Sequence, residues 1–223
     1  MKHAQPGSWF AENALFSLLT GEQLNDVISV SHAQPLPRGA TLFQRGDQVR
    51  GLYLLAHGQI KLGITSAHGV EKVFRIIGAG EVFCEDAICL DSPLPVYAQA
   101  TTDTEVVFVP RGTVLAMMER NTAFSKKLLE GLSSRMHAMF HEIEAISLQN
   151  STERLVRYLL QVSAEKPQTR QLTLPASKVT IASLLNLTPE TFSRTMAKLQ
   201  KAGAIEVTGR QIALDVGALQ AMA

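Results

Sequence analysis

The sequence has no long apolar run and very little cysteine. No stretch of 18 apolar residues occurs, so a transmembrane helix is not expected, and the N-terminal residues lack the apolar segment of a signal peptide. The chain holds only two cysteines, Cys84 and Cys89, which are too few for a disulfide scaffold. These absences predict a cytoplasmic protein with no membrane partner.

Motifs of catalysis are absent as well. We find no ordered set of Ser, His and Asp, no phosphate-binding loop and no pair of catalytic carboxylates, and we therefore expect no enzyme activity.

Net charge is also small, at +1 for 223 residues, which by itself argues against a simple basic nucleic-acid binder. The charge is unevenly distributed, however. Residues 1–149 carry 12 basic and 15 acidic residues, or −3, whereas residues 150–223 carry 9 basic and 5 acidic residues, or +4. The two parts of the chain are therefore expected to have different partners.

Residues 36–110 have the pattern of a β-domain. Eight of the 15 glycines fall between residues 39 and 80, with short β-rich runs between or after them. Short strands separated by turn residues predict an antiparallel sandwich or barrel, and glycines supply positive φ at its corners. Residues 8–30 are expected to be helical, with a break and a new N-cap at Thr20. The expected strands are 41–43, 52–55, 60–64, 72–77 and 105–109.

A long amphipathic helix is predicted from Ala123 to about Leu148. Its apolar residues follow a 3-4-3-4-3 spacing, which is an a/d seam over nearly three heptads. Such a strict seam is narrower than a core-facing stripe needs, so it favours a homodimer over the alternative of a helix packed only on its own domain. The seam consists of Leu129, Leu132, Met136, Met139, Ile143 and Ile146.

The most specific pattern lies between residues 175 and 203. After a helix over 153–164 and a strand over 171–174, a short helix with a buried face is expected over 178–187, with the turn made by 186–188. Its apolar residues are Val179, Ile181, Ala182, Leu184, Leu185 and Leu187. A second helix follows over 189–202, with Thr188 as N-cap and Pro189 in its first position. This second helix is expected to bury Phe192, Met196 and Leu199.

Two short helices joined by a tight turn, the second polar and basic on its outer face, predict a helix-turn-helix that binds double-stranded DNA. Runs 204–207 and 211–214 predict a β-hairpin wing behind it, with Gly209 in the turn. A helical hairpin with solvated charges is the alternative, but cap, turn, spacing and wing all agree with DNA binding.

Side-chain chemistry assigns roles on the second helix. Glu190 is expected to accept from a cytosine amino group, Arg194 to donate two hydrogen bonds to a guanine, and Ser193 to contact a base edge or a thymine methyl. Four further residues are expected to contact phosphates, which fix register without reading sequence. They are Thr188, Lys198, Lys201 and Arg210.

The stretch Pro-Glu-Thr-Phe-Ser-Arg over 189–194 resembles the recognition helix of the Crp/Fnr family of bacterial transcription regulators. The resemblance covers almost the whole chain. It implies an α+β fold with a cyclic-nucleotide-binding-like β-roll (jelly roll) over 1–121, a dimerisation helix over 122–149 and a winged helix-turn-helix over 150–223. It also implies RNA polymerase as a partner.

The pattern of Glu190, Ser193 and Arg194 is similar to the Fnr branch, which implies TTGAT half-sites in the palindrome TTGAT-N4-ATCAA. The stretch 147–160 resembles the Dnr-type regulators of denitrification, which respond to nitric oxide through haem. The resemblance therefore implies nitric oxide, sensed through haem, as the effector. A Crp-like regulator controlled by another small molecule or by cysteine redox is the alternative, as is a cyclic-nucleotide sensor module.

The segment 80–97 bears on the effector. Glu85 occupies the position of the family's ribose-binding glutamate, but Leu94 and Pro95 stand near the position of its Arg-Ser pair, and no arginine occurs between residues 76 and 110. A cyclic phosphate would go unneutralised, so cyclic-nucleotide binding is not expected and Glu85 is expected to have a structural role.

Two cysteines also exclude an iron–sulfur cluster held by four thiolates of one chain. Cys84 occupies the position of the cysteine ligand in the family's carbon-monoxide-sensing haem regulators, while Asp86 replaces their histidine. We therefore treat Cys84, Glu85 and Asp86 as effector-pocket candidates and leave any metal ligand unassigned. A disulfide between Cys84 and Cys89 is the redox alternative, and a pair of buried, inert cysteines is favoured over it. His137 and His141 are i, i+4 on the long helix and are expected to be solvated rather than to bind metal.

Overall fold

The structure, a computed structural model, describes residues 6–90, 92–164, 171–209 and 211–222. The chain divides into two compact units, Met1–Met136 and His137–Ala223. The first unit contains α1 (Pro6–Glu12), a 3₁₀ helix (Phe16–Leu18), α2 (Gly21–Val30), β1 (His32–Leu36), β2 (Thr41–Phe43), β3 (Gly51–His57), β4 (Gln59–Thr65), β5 (Glu71–Gly78), β6 (Val82–Phe83), α3 (Asp86–Cys89), β7 (Tyr97–Ala100), β8 (Thr104–Pro110), α4 (Arg111–Arg120) and most of α5 (Thr122–Leu148).

Two antiparallel four-stranded sheets form this first unit, in the orders β1-β8-β3-β6 and β2-β7-β4-β5. One apolar core includes residues of both sheets, among them Tyr53, Ile60 and Ala98. A second core joins the N-terminal helices, α4 and α5 to β3 and β8, through residues such as Phe16, Leu54 and Phe124. The predicted β-roll fold is therefore confirmed.

All five predicted strands are present, but β1, β6 and β7 were not predicted. β1 contains Pro35 and β6 has two residues, so neither gives a clear alternation in sequence. The N-terminal helical stretch is interrupted as expected. Thr20 caps α2, where its hydroxyl accepts from the Gln23 amide and the Gln23 side chain accepts from the Thr20 amide.

Not all glycines of the β-rich segment lie at corners. Gly39, Gly46, Gly58, Gly69 and Gly80 have positive φ, as a turn role requires. Gly51 and Gly63 instead lie inside strands that pass close to other groups. A Cβ on Gly63 would lie 2.7 Å from the Tyr97 hydroxyl oxygen. Their role is therefore to leave room for neighbouring groups.

The second unit contains the C-terminal part of α5 followed by α6 (Ser151–Ala164), β9 (Gln171–Thr173), α7 (Lys178–Leu184), α8 (Pro189–Lys201), β10 (Ile205–Thr208), β11 (Gln211–Leu214) and α9 (Val216–Gln220). The three strands form an antiparallel sheet in the order β10-β11-β9. The predicted helix over 178–187 is too long, because α7 ends at Leu184, but Asn186 turns the chain as predicted and adopts φ +55°. Val179, predicted on the buried face, is 59% exposed.

Candidate nucleic-acid interface

The α7-turn-α8 segment owes its shape to a few local residues. Asn186, with its left-handed backbone, lies in the turn, and asparagine is one of the few residues that tolerate this conformation. Thr188 then caps α8, because its hydroxyl accepts from the Thr191 amide at 3.2 Å, and Pro189 takes the first helical position. The start of α8 is therefore fixed by its own sequence.

One face of α8 is buried and the opposite face is exposed. Phe192 and Leu199 are completely buried and Met196 nearly so, as predicted. Thr195 is also buried, and its hydroxyl donates to the Thr191 carbonyl at 2.8 Å, so its polar atom is satisfied within the helix. The residues exposed on α8 include Glu190, Ser193, Arg194, Lys198 and Lys201.

The three residues predicted to read bases are all exposed near the N-terminal end of α8. Arg194 follows Glu190 by one helical turn, so both project from the same side of the helix. The Glu190 backbone amide, and then the Thr188 side chain, hydrogen-bond the Glu190 carboxylate and hold its pKa below its usual value. Glu190 is therefore ionised at neutral pH and available as a hydrogen-bond acceptor.

The four predicted phosphate contacts differ in their surroundings. Thr188 is exposed, but its hydroxyl already caps α8. Lys198 Nζ donates to Thr152 Oγ1 on α6 at 3.3 Å, while Lys201 is exposed in the last turn of α8. Arg210 lies outside the described residues. The β10–β11 hairpin has Gly209 in its turn with φ +64°, as predicted for the wing.

The predicted seam of α5 is largely exposed in this single chain. Exposure is 59% for Leu129, 53% for Met136, 62% for Met139, 58% for Ile143 and 47% for Ile146, with Leu132 half-buried. Phe140, which the seam prediction missed because it follows a d position, is 60% exposed. An exposed apolar stripe of this kind marks an interaction surface.

The effector-pocket candidates have unequal burial. Glu85 is only 3% exposed, and Asp86, half-buried, begins α3. Cys84 is buried and adopts φ +67°, which is uncommon for a residue other than glycine. Burial, and then the Asp86 and Glu85 carboxylates, raise the pKa of the Cys84 thiol well above its usual value. Cys84 is therefore a neutral thiol at neutral pH.

Both cysteines are free, and Cys89 is exposed, so the expectation of two buried cysteines is wrong for Cys89. Leu94, near the position of the family's Arg-Ser pair, is buried in the β-roll core.

Arg135 of α5 pairs with Glu85 across the first unit, and sequence reasoning missed this contact. Arg135 Nη2 lies 2.6 Å from Glu85 Oε1, although the angles fall outside those of a hydrogen bond. Burial raises the Glu85 pKa, and the Arg135 charge opposes that rise. Both side chains line a cleft of about 220 Å³ that Arg75, Glu81 and Lys127 also line. The expected structural role of Glu85 is consistent with this pair.

The surroundings of Cys84, within the described residues, do not suit a haem ligand. The cleft beside Glu85 is smaller than the 300–1,000 Å³ of typical ligand pockets, and Cys84 does not line it. Cys84 also lies buried in the apolar core of the β-roll in this conformation. His32, His57, His68, His137 and His141 are exposed, and His3 lies outside the described residues. Within the described ranges, no cluster of three or more His, Cys, Asp or Glu could hold a metal ion.

An exposed, capped helix after a tight turn, with a wing beside it, defines a DNA-binding protein of the helix-turn-helix class. The Crp-like helix-turn-helix domain matches residues 153–222, and the cyclic nucleotide-binding domain matches residues 33–121. The chain belongs to the Crp/Fnr family of transcription regulators, as its sequence indicated, and is not an enzyme.

Individual relatives agree with this assignment. The chain is 27% identical to the fumarate and nitrate reduction regulatory protein of Escherichia coli K12 over 198 aligned residues. The aligned region covers 87% of this chain and 78% of that protein. DNR from Pseudomonas aeruginosa, a protein of known crystal structure, is 30% identical in sequence to this chain. The structural match covers 100% of both chains and has a TM-score of 0.52. FixK2 from Bradyrhizobium japonicum shares the fold, with 20% identity, a TM-score of 0.77 and coverage of 86% and 97%. Among the described residues, no helix is long and apolar enough to span a membrane.

Proposed function

We propose that the chain binds the palindrome TTGAT-N4-ATCAA as a homodimer and inserts α8 of each protomer into a major groove. The observation that carries this proposal is the exposed set of Glu190, Ser193 and Arg194 on one capped helix. Arginine pairs with guanine and glutamate with cytosine through hydrogen bonds at base edges. The similarity to the fumarate and nitrate reduction regulatory proteins supports an Fnr-like site.

Dimerisation is proposed to occur through α5. The seam residues are exposed in one protomer and would be buried by the same residues of a second copy, in an isologous contact. Two reading helices then match the two halves of a palindrome. The arrangement also doubles the phosphate contacts of a C-terminal part whose excess charge is only +4. As a regulator bound upstream of a gene, the dimer is proposed to contact RNA polymerase.

Nitric oxide, sensed through haem, is the proposed effector. The support is the resemblance of residues 147–160 to Dnr-type regulators and the 30% identity to DNR from Pseudomonas aeruginosa. Cys84 does not fit as a haem ligand in this conformation, because it is buried and does not line the cleft. Haem titration of the chain and of Cys84→Ala tests the proposal. We expect a stoichiometric Soret band that shifts with nitric oxide, and its absence would remove haem as the sensor.

A small polar molecule in the cleft of Glu85 and Arg135 is the second candidate effector. This cleft presents carboxylates and cations side by side, and Arg135 belongs to the same helix as the seam. An effector that binds here more tightly in one state than in another would shift the dimer between states.

A gel shift with the TTGAT-N4-ATCAA duplex tests DNA reading, with and without haem and nitric oxide. Arg194→Ala should weaken binding by about 1–3 kcal/mol and relax specificity at the guanine, because it removes a bidentate base contact. Lys201→Ala is the matched control and should weaken all sequences alike. No sequence preference under any effector condition would overturn the proposed palindrome.

A further inference from the structure

Arg154 of α6 contacts the turn of the helix-turn-helix. Its Nη1 donates to the carbonyls of Leu185 and Asn186, both at 3.1 Å. These carbonyls lie directly after the end of α7 and in the turn, where helical hydrogen bonding stops. A cation at a helix C-terminus also interacts favourably with the helix dipole. One guanidinium therefore fixes the segment between the two helices.

The position of Arg154 in its own helix is unfavourable. It lies in the first turn of α6, where the positive end of the helix dipole disfavours a cation. The start of α6 is fixed by Asn150, whose side chain accepts from the Thr152 and Glu153 amides, while Glu153 accepts from the Asn150 amide. A residue that breaks a local rule marks a site where another requirement dominates. Here that requirement is the contact with the turn.

The same turn of α6 contacts the recognition helix itself. Thr152 Oγ1 accepts from Lys198 Nζ of α8 at 3.3 Å. Behind these polar contacts, Leu155, Val156 and Leu159 bury α6 in the second unit. The first turn of α6 thus holds both the turn before α8 and a side chain of α8.

We infer that Arg154 is a positioning residue for DNA reading, which acts through the turn 185–187 on the placement of α8. The inference rests on DNA binding by α8. Arg154 Nε makes no hydrogen bond within the part of the chain that the structure describes, whereas Nη1 donates to both carbonyls of the turn. Loss of the guanidinium removes the hydrogen bonds that both carbonyls accept and makes the backbone of the turn less constrained. The cap at Thr188 and the buried face of α8 remain intact.

The test compares the full-length chain with Arg154→Met, Arg154→Lys and Arg157→Met. Arg157 is the matched control, because it lies one turn further along α6 and its ion pair with Glu144 spans 4.0 Å. Amide hydrogen exchange of residues 185–192 is measured first, since it does not depend on the DNA target. Binding to the TTGAT-N4-ATCAA duplex and to a scrambled duplex of equal length is measured next.

For Arg154→Met we expect faster exchange confined to residues 185–192, unchanged exchange in α6, and a loss of about tenfold in affinity for the palindrome, equivalent to about 1.4 kcal/mol. Arg154→Lys should recover part of both effects, because it keeps a cation at the end of α7. Arg157→Met should match the wild type.

Two results would overturn the inference. One is wild-type exchange over 185–192 in Arg154→Met, whether or not the chain prefers the palindrome. The other is exchange that rises equally throughout 151–222, which shows a general loss of stability instead of a local one. A wild-type chain without preference for the palindrome would refute the proposed DNA site alone, since the exchange measurement still decides whether Arg154 fixes the turn.

Discussion

Arg135→Met should destabilise the first unit in a pH-dependent way. Glu85 has a side chain only 4% exposed and Arg135 one that is 29% exposed. Breaking a buried ion pair costs about 3–5 kcal/mol, because one charge stays buried without its partner. Water reaches Arg135, so we expect the low end of this range, about 3 kcal/mol, at pH 8.

The direction of the pH dependence follows from the Glu85 pKa. Burial raises it in the folded chain above the usual value of 4.5. At pH values between 4.5 and the raised pKa, the folded state binds more protons than the unfolded state. The free energy of unfolding therefore falls as pH rises through this range. The Arg135 charge limits the rise of the Glu85 pKa. Removal of Arg135 therefore raises this pKa further and widens the pH range in which the folded and unfolded states bind different numbers of protons. The loss caused by Arg135→Met should therefore be larger at pH 8 than at pH 5.

Trp9 provides the assay. It is the only tryptophan of the chain and packs against the core that contains Phe124 and Leu128 of α5. Urea unfolding followed by Trp9 fluorescence thus reports on the first unit. The control is Glu85→Gln/Arg135→Met, which removes the buried charge as well and should recover most of the stability and lose the pH dependence. An equal loss at both pH values, or a double variant less stable than Arg135→Met, would refute the reasoning.

Three further changes test packing and assembly. Phe192→Ala should cost the second unit about 3–5 kcal/mol, because the ring is completely buried, whereas exposed Lys201→Ala should leave thermal unfolding unchanged. Ile143→Asp should convert the proposed dimer to monomers in sedimentation experiments, because it places a charge at an a position of the seam. Gly63→Ala should cost about 1–3 kcal/mol in urea unfolding, because its Cβ would lie 2.7 Å from Tyr97, whereas Gly112→Ala meets nothing within 4 Å.

Each of these expectations has a contrary outcome. Equal stability of Gly63→Ala and Gly112→Ala would contradict the close approach of Tyr97. An unchanged dimer in Ile143→Asp would place the interface elsewhere. Phe192→Ala with wild-type unfolding would show that the face of α8 next to the core contributes little.

The sequence was most informative where structure is set by neighbours along the chain. Thr188, Pro189 and the spacing from Phe192 to Leu199 predicted the start and the buried face of α8, because caps and helical periodicity act within a few residues. The wing was predicted within one residue for a similar reason, with Gly209 in the turn between two short β-rich runs.

Contacts between distant residues could not be predicted. Glu85 and Arg135 are 50 positions apart, and Arg154 reaches carbonyls 31 and 32 residues away. No periodicity links such positions, so only the folded chain brings them together. The sequence placed Gly63 inside the strand 60–64, but it does not show that Tyr97 lies across from this glycine, so the close approach was missed for the same reason.

The exposed seam of α5 has a consequence for gene regulation. In the proposed dimer, each palindrome needs two protomers, so below the dissociation constant of the dimer the amount of DNA-binding species rises with the square of the protomer concentration. A twofold change in the abundance of the chain would then change promoter occupancy by up to about fourfold. The apolar stripe from Met136 to Ile146 would thus make the regulator sensitive to its own expression level as well as to its effector.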